Sequence, residues 1–333
     1  MSRLFTLLAV LLAFSVATGR AEACTVSAST INLGTGVSSY TVGTTSQTGS
    51  GSAGLQCDTT LALLATHYVG VTLESSTFLM TGPNSLTIPF IASFTQNGTA
   101  IPVNTFQNLS STALLTLFSG TNSAVPIYIR TTATTALRAG TYTGTLNFRW
   151  YYSVCNVGVA LCLSYDNSPS LVRPLVGAPT NWGTGVPVQV TVTLTVQNDC
   201  IINAPAAGFG SAPLASSFSA ITRTIQIRCS AGTSYTVGLD DGANASGTVR
   251  RMRYTSGSTS SYLNYEIYKT TSSTERWGAV GTARRGSGTA ETNPNIYDSV
   301  TTQGYTYRAA ILPGQVTPPG GTYTDTVRID VAF

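Results

Sequence analysis

The sequence contains two related halves, and this repeat constrains the fold more than any other feature. Cys24 opens the stretch "CTVSASTINLG" and Cys200 opens "CIINAPAAGFG". Farther along, "AGTYTGTLNFRW" (139–150) is answered by "GGTYTDTVRIDV" (320–331), a shift of 181 positions from 139 to 320. Two copies of one pattern predict two domains of one fold, and 333 residues are enough for two domains.

The six cysteines fit an oxidising compartment, in which disulfides persist. A second cysteine follows the first in each half, at Cys57 and Cys229. Equivalent cysteines in two copies of one fold should pair equivalently, and this leaves one further pair. The expected disulfides are therefore Cys24–Cys57, Cys200–Cys229 and Cys155–Cys162.

Apolar and polar residues alternate through most of the chain, and this alternation predicts β-strands. In "VPVQVTVTLTVQ" (186–197) every second residue is Val or Leu, as expected for a half-buried strand. "SYLNYEIY" (261–268) and "TYTDTVRIDVAF" (322–333) alternate likewise, with Asp325 as the exception in the latter. No stretch shows convincing helical periodicity. The predicted class is all-β, with two antiparallel β-sandwiches.

The end of the second half suggests a missing strand. The shift of 181 maps Phe333 onto Tyr152, beyond which the first half continues to the strong strand pattern at 186–197. If the first domain needs this strand to close its sheet, the second domain lacks the counterpart. Its final strand would then border an open apolar groove with unpaired backbone groups, which invites a strand from another chain. The residues expected at this groove are Ile201, Phe209, Val327, Ile329, Val331 and Phe333.

The first 23 residues are typical of a secretory signal peptide. Arg3 precedes the apolar run "LFTLLAVLLAFSVA" (4–17), which is too short to span a bilayer, and Ala21 and Ala23 suit a cleavage site. We expect the mature chain to begin at Cys24, with lipidation of Cys24 as the alternative. Such a chain has no N-terminal extension to donate, so in a head-to-tail polymer it would occupy one terminus. The expected layout is a signal peptide at 1–23, an N-terminal domain at 24–197 and a C-terminal domain at 198–333.

Several predicted loops of the first domain are unusually apolar. The loop "CNVGVALC" (155–162) holds four apolar side chains and no charge, and so short a span leaves little room for them to turn inward. We expect an exposed binding surface there, and also in 78–90, 118–128 and 171–185 unless those side chains fold back and cap the sandwich. The surface candidates are Val157, Val159, Ala160, Leu161, Leu171, Val172, Leu175, Val176, Trp182, Phe78, Leu79, Met80 and Val125. A sugar-binding pocket is the alternative, with Trp182, Asn181, Tyr151 and Tyr152 as its candidates.

Patterns for catalysis or nucleic-acid binding are weak. The one histidine, His67, lies in an apolar context, and no cluster of His, Cys, Asp and Glu has metal-ligand spacing. The pair Asp240-Asp241 precedes Gly242, which indicates a turn. A net charge of +4 is no nucleic-acid footprint, and the one dense basic run, 250–253, is interpreted as a solvated strand end. The sequence predicts a binding or structural protein that is not an enzyme and has no metal, cofactor or nucleic-acid partner.

The second half resembles the spore coat protein U domain family, the pilin fold of archaic (Csu-type) chaperone–usher pili. The first half matches more weakly, through Cys24, Cys57 and "GTYTGTLNFRWYYSVC" (140–155). The two-domain layout is similar to that of the tip adhesins of these pili. The motifs of the second half are "NDCIINAPAAGFG" (198–210), "IQIRCSAGTSYTVGLDDG" (225–242), "RRMRYTSGSTSSYLNYEIY" (250–268), "ERWG" (275–278) and "PPGGTYTDTVRIDVAF" (318–333).

The resemblance implies an immunoglobulin-like C-terminal sandwich that lacks its last strand. A periplasmic chaperone would hold it until an outer-membrane usher exchanges in a donor strand from the adjacent pilin subunit. The N-terminal domain would attach cells to abiotic or host surfaces through hydrophobic loops and so promote biofilm formation. The implied location is the pilus tip at the cell surface, reached by secretion through the periplasm. A tip adhesin for a glycan or receptor and a structural coat protein of the same fold remain as alternatives.

Overall fold

The structure is a computed structural model that describes residues 24–57, 66–111, 117–158, 162–174 and 177–333; for 156–158 and 163 it describes the backbone alone. Regular structure in these residues is almost entirely β-strand, and most strand pairs are antiparallel, which confirms the all-β prediction. Both halves are immunoglobulin-like β-sandwiches. No helix in the described ranges is long and apolar enough to cross a membrane.

The chain divides into two compact units. The first unit contains 24–35, Ser46–Ala133 and Thr141–Thr195. The second unit contains Gly36–Thr45, Thr134–Gly140 and Val196–Phe333. Two short segments that precede Val196 therefore pack with the second unit, and each unit is described separately below.

The first unit is built around the long strand β10. The unit is a sandwich of two layers whose apolar faces pack together. The Trp150 indole N–H of β10 donates a hydrogen bond to the Ala53 carbonyl of β4 at 2.9 Å. The main path of hydrogen-bonded strands is β1-β4-β9-β7-β6-β10-β12-β2; β5 and β11 also pair with β10, and β8 pairs with β5. The strands from the first half of the chain are β1 (Cys24–Val26), β2 (Ser29–Asn32), β3 (Val37–Ser38), β4 (Thr48–Cys57), β5 (Tyr68–Ser75), β6 (Leu79–Thr81), β7 (Thr87–Ser93), β8 (Phe106–Asn108), β9 (Ala124–Thr131), β10 (Gly140–Gly158), β11 (Cys162–Asn167) and β12 (Val186–Gln197).

The second unit packs a five-stranded sheet, β13-β14-β19-β17-β16, against a three-stranded sheet, β18-β15-β20. Trp277 is fully buried between them and donates its indole N–H to the Val237 carbonyl at 2.9 Å. The strands are β13 (Cys200–Asn203), β14 (Ile221–Cys229), β15 (Thr236–Leu239), β16 (Arg250–Ser256), β17 (Thr259–Tyr268), β18 (Arg285–Gly286), β19 (Gln303–Ile311) and β20 (Ile329–Ala332). The short helices are α1 (Ser39–Thr44) and the 3-10 turns Pro83–Ser85, Thr121–Ser123, Ala215–Ser217, Gly281–Ala283 and Ser287–Thr289.

The three disulfides have the pairing that the repeat predicts. Cys24 and Cys57 lie opposite each other on β1 and β4, with their Cα atoms 4.0 Å apart. The pair formed by Cys200 and Cys229 on β13 and β14 has the same Cα separation of 4.0 Å. The third bridge, Cys155–Cys162, joins β10 to β11. The first two bridges thus tie the first strand of each half to its neighbour at equivalent points.

Candidate functional site: an apolar groove in the second unit

The second unit contains an open groove of about 500 Å³ between the segment after β13 and the segment leading into β20. Residues Ala204–Phe209 form one border and Tyr323–Ile329 the other, while the floor comes from both sheets of the sandwich. Its large apolar and aromatic lining residues are Phe209, Ile225, Leu239, Met252, Tyr265, Ile267, Tyr307, Tyr323, Val327 and Ile329. The groove therefore opens directly onto the core of this unit.

One border of the groove ends in an edge strand. β20 pairs with β15 on one side, from Leu239↔Ile329 to Thr236↔Ala332. On its other side no strand of the described residues pairs with it. An edge with free N–H and C=O groups beside an apolar groove is suited to pair with an additional extended segment.

The first unit shows the same position filled. There β12 lies between β10 and β2, pairing in parallel with β2 from Val190↔Ser29 to Thr193↔Asn32. The side chains of β12 that face inward are completely or almost completely buried. They are Val190, Val192, Leu194 and Val196, each at most 2% exposed.

The strand pairings show that the two positions are equivalent. Phe148 on β10 pairs with Leu73, and Ile329 on β20, which is shifted by 181 positions, pairs with Leu239. The match between Cys24 and Cys200 in turn places β2 over residues 205–208, at the other border of the groove. The groove of the second unit therefore occupies the place that β12 fills in the first.

One part of the groove wall is polar. Asp325 accepts a hydrogen bond from the Tyr265 hydroxyl at 2.7 Å and from the backbone and side-chain nitrogens of Asn244 at 3.1 and 3.0 Å. Burial, and then the hydrogen bond with Asp325, raise the pKa of Tyr265 well above its ordinary value. Tyr265 therefore remains a protonated donor, and the carboxylate is held in place on the groove wall.

The residues expected at the groove fall into two groups. Phe209, Val327 and Ile329 line it. Val331 packs against the core of the sandwich, and Ile201 and Phe333 are 45% and 50% exposed and lie outside the lining. The repeat locates the final strand, but a two-residue alternation does not show where along that strand the groove ends.

Comparison with known proteins agrees with this architecture. The Spore Coat Protein U domain model matches residues 10–149 and 186–330, which is most of the chain. The chain belongs to the spore coat protein U domain family. The stretch 150–185, which contains β11 and the apolar Cys155–Cys162 loop, lies between the two matches. This stretch is thus the part of the first half that departs from the family pattern.

Among solved structures, the crystal structure of the CsuC–CsuE chaperone–tip adhesion subunit pre-assembly complex from the archaic chaperone–usher Csu pili of Acinetobacter baumannii contains a similar chain. The two are 30% identical over 93% of this chain and 100% of that one, with a TM-score of 0.69. The CupB6 tip adhesin of Pseudomonas aeruginosa matches at 12% identity, 89% and 88% coverage and a TM-score of 0.30, too low to support an argument. Curated protein sequences give no significant match.

The loop residues that were expected to form a binding surface differ from one another in how exposed they are. Val172 is 55% exposed and Leu79 is 37% exposed. Leu171 and Trp182 are half-buried, and Phe78 is half-buried with its ring 5.8 Å from that of Phe90. Val159, Ala160, Leu161, Leu175 and Val176, together with the side chain of Val157, lie outside the described residues. The "CNVGVALC" surface therefore remains a prediction.

Two of these surface candidates need correction. Met80 is 0% exposed and Val125 is 1% exposed, so neither is available to an external surface. Met80 is the central residue of the three-residue strand β6, and its neighbours Leu79 and Thr81 face outward instead. Val125 lies near the start of β9, whose apolar residues pack into the sandwich. Met80 thus turns inward on a strand of three residues, and Val125 does so near the start of a strand of eight residues.

The sequence predicted only part of an aromatic cluster on the first unit. Phe106 of β8 is 41% exposed, and its ring lies 5.0 Å from Trp182 and 5.6 Å from Tyr151. Gly70 beneath it is required by close approach, since a Cβ there would lie 2.5 Å from the Phe106 ring. Tyr152, in contrast, is only 8% exposed and cannot join the cluster. Phe106 was missed because its strand has three residues and no alternation to reveal it.

His67 and Asp240, which the sequence raised as candidates, have structural partners, and so does Glu266. His67 accepts a hydrogen bond at Nδ1 from the Cys155 backbone at 3.2 Å. Asp240 accepts from the Gly242 N–H at 3.0 Å, as expected for a turn. Glu266 pairs with Arg250 at 2.5 Å. Within the described ranges, no group of three or more His, Cys, Asp or Glu side chains could hold a metal ion.

Proposed function

We propose that this spore coat protein U domain protein is the tip adhesin subunit of a chaperone–usher pilus. Its similarity to a chain of the Csu chaperone–tip adhesion subunit complex supports this role. The observation that carries the proposal is the groove, because the second unit is open where the first unit is closed by β12. A sandwich that exposes its core along a strand edge is suited to receive a strand from another protein.

In this proposal the groove has successive occupants. A periplasmic chaperone first covers it, and an outer-membrane usher then exchanges the chaperone for a donor strand of the adjacent pilin subunit. The added strand pairs its backbone with the free edge of β20 and inserts alternate apolar side chains between the sheets. The protein is then secreted through the periplasm to the pilus tip, where it acts by binding and not by catalysis.

The first unit would supply the attachment surface. Its apolar candidates are the Cys155–Cys162 loop, Val172 and Leu79, and the loop lies in the stretch outside the family match. Burial of apolar surface stabilises a contact by roughly 25 cal/mol per Å², so a few hundred Å² contribute several kcal/mol. Such a contact suits any hydrophobic surface, and many pili on one cell add avidity. Attachment of this kind would promote biofilm formation.

A second candidate function, recognition of a glycan, is favoured by the aromatic cluster of Phe106, Tyr151 and Trp182. A partly exposed ring such as that of Phe106 offers an apolar face on which a sugar ring can lie. A Trp182→Ala variant should lose attachment in this case, and a free sugar should compete with the wild-type protein. Attachment that resists every competing sugar and needs the Cys155–Cys162 loop would exclude this candidate.

The groove is tested with a pair of substitutions. Val327 lines the groove, whereas Thr322, earlier in the same segment, is exposed and lies outside the lining, so Val327→Asp and Thr322→Asp place the same charge inside and outside the groove. With the cognate chaperone co-expressed, Val327→Asp should abolish co-purification of the complex, whereas Thr322→Asp should retain it. A stable wild-type monomer in good yield without any chaperone would contradict the proposal.

The attachment surface is tested on assembled fibres. Replacing Val157, Val159 and Leu161 by Ser should reduce cell adhesion to hydrophobic plastic while pili remain visible by electron microscopy. The same replacement at Met80, which is buried, should reduce protein yield instead. Unchanged adhesion of the loop variant would remove this loop from the attachment site.

A further inference from the structure

Asp325 is the one charged residue among those that line the groove. It is half-buried and accepts hydrogen bonds from Tyr265 and Asn244, both of which are neutral. The ion pairs of the described residues join other carboxylates to Arg or Lys and do not include Asp325. The carboxylate is therefore positioned by hydrogen bonds, but its charge has no cationic partner within 4 Å among these residues.

The filled groove of the first unit shows what would face Asp325. The hydroxyl oxygens of Thr195 and Thr141 lie 3.2 Å apart, and the side-chain N–H of Gln189 donates to the side-chain oxygen of Asn147 at 3.1 Å. These contacts run in opposite order along the two strands, so β12 is antiparallel to β10. Counting inward from the two contacts, Val192 lies opposite Gly144.

Gly144 is the counterpart of Asp325, 181 positions earlier. A Cβ at Gly144 would lie 2.8 Å from the Phe90 ring, so this place in the first unit has no room for a side chain. The second unit instead carries a charged side chain there. The two grooves thus share their geometry but differ in charge at the position opposite Val192.

We propose that the donor strand that fills the second groove carries Lys or Arg at the position facing Asp325, with apolar residues at alternate positions around it. This inference rests on the proposed function, because it concerns the strand of the adjacent subunit. On the pattern of β12, the apolar residues would occupy the places of Val188, Val190 and Leu194. A basic side chain at the place of Val192 completes the pattern.

Solvation gives the physical reason. A purely apolar strand over Asp325 would remove water from the carboxylate and supply no compensating cation, and burying an unpaired charge is unfavourable. Directly opposite residues of neighbouring strands have Cβ atoms about 5 Å apart, within reach of a basic side chain. The resulting hydrogen bond is charge-assisted and stronger than one between neutral groups. Asp325 would thus favour one donor strand over other apolar strands.

The experiment refolds the full-length chain from urea in the presence of each of three labelled peptides and measures peptide binding by fluorescence anisotropy. The first has the sequence of residues 186–197, the second carries Val192→Lys and the third carries Thr193→Lys, which places the same charge on the outward face. We expect the Val192→Lys peptide to bind about tenfold more tightly than either of the others, a difference typical of close charge pairs.

Substitutions in the protein locate the effect. Asp325→Asn keeps hydrogen-bonding groups but removes the charge, and Asp325→Gly introduces the residue that the first unit has at this place. Either variant should abolish the preference for Val192→Lys. The control Asp330→Asn removes a carboxylate from the outward face of β20, where it pairs with Arg284 at 2.8 Å, and should leave the preference intact.

The outcomes separate the two proposals. If the wild-type chain binds the peptides equally, or if the preference persists in both Asp325 variants, the role of Asp325 is wrong while strand acceptance stands. If no peptide binds to the wild-type chain, or if Val327→Asp leaves binding unchanged, the groove does not accept a strand and both proposals are wrong.

Discussion

Arg250 is a charged residue with no exposed surface. Its guanidinium donates to the carbonyls of Leu239, Asp240 and Trp277 at 2.6 to 3.0 Å and pairs with Glu266 at 2.5 Å. These partners satisfy the donors that burial would otherwise leave unpaired. Because β15 and β16 belong to different sheets, Arg250 joins the two layers of the second unit close to the groove.

Replacement of Arg250 by Met should destabilise the second unit by about 3 kcal/mol or more, since three buried carbonyls lose their donor and Glu266 loses one of its two arginine partners. Arg253→Met is the matched control, because Arg253 lies on the same strand and is exposed. The measurement is the urea dependence of the fluorescence of Trp277, which is buried in the second unit. Equal stability of the two variants would show that the buried network contributes little.

The same basic run shows where sequence reasoning fails at this scale. "RRMR" was interpreted as a solvated strand end, which is wrong for Arg250 and correct for Arg253. Adjacent strand residues face opposite sides, so one run of like charges can have both environments. Only the tertiary structure brings the three carbonyls and Glu266 around one guanidinium, and no local pattern signals that arrangement.

At the scale of elements, strand β12 is the clearest feature of the sequence. Its alternation of Val and Thr predicted both its bounds and its buried face, and the repeat predicted its equivalence to an open position in the second half. What the pattern could not give is the parallel pairing with β2 or the inward turn of Met80 and Val125. Those features depend on neighbours distant in sequence, and Met80 in addition lies on a strand of only three residues.

A charge on the inner face of β12 should unfold the first unit alone. Val192 is fully buried, so Val192→Asp should cost more than about 4 kcal/mol, whereas Thr193→Asp on the outer face should have a small effect. Limited proteolysis with mass spectrometry would show which unit is cleaved. Cleavage of the second unit instead would contradict the role assigned to β12.

Removal of the Cys200–Cys229 disulfide should mainly lower stability, whereas removal of the Cys155–Cys162 disulfide should mainly lower adhesion. The Cys200–Cys229 bridge spans 29 residues, and loop-closure entropy predicts a loss of about 3–4 kcal/mol when both cysteines are replaced by Ala. The Cys155–Cys162 bridge spans 7 residues, so the same double replacement should affect stability less. We expect it to reduce adhesion more strongly, because the loop loses its closure. Thermal unfolding and plastic adhesion assays measure the two effects.

At the scale of the whole molecule, charge contributes little to the attachment that we propose. The formal net charge is +4 over 333 residues, and the apolar candidates of the first unit carry none. Apolar burial needs no opposite charge on the target. The protein should therefore attach to neutral hydrophobic materials as well as to charged ones.

Attachment to hydrophobic plastic should persist in about 1 M NaCl, where the Debye length falls to roughly 3 Å. Sulfate salts should strengthen it, because they favour apolar burial. The measurement is the number of cells retained after washing at each salt concentration. A steep loss with NaCl would assign attachment to charged groups and contradict the apolar surface.

The two grooves also differ in the kinetic order of the step that fills them, which is first order in the first unit and second order in the second. In the first unit the filling strand is tethered to its own groove through the same chain, so closure is intramolecular and independent of protein concentration. Under the proposed function, the second groove is filled by a separate molecule, and its rate of completion depends on how much partner is present. The first unit would thus fold at a rate that does not depend on concentration. The rate at which the second unit is completed would instead rise with the concentration of its partner.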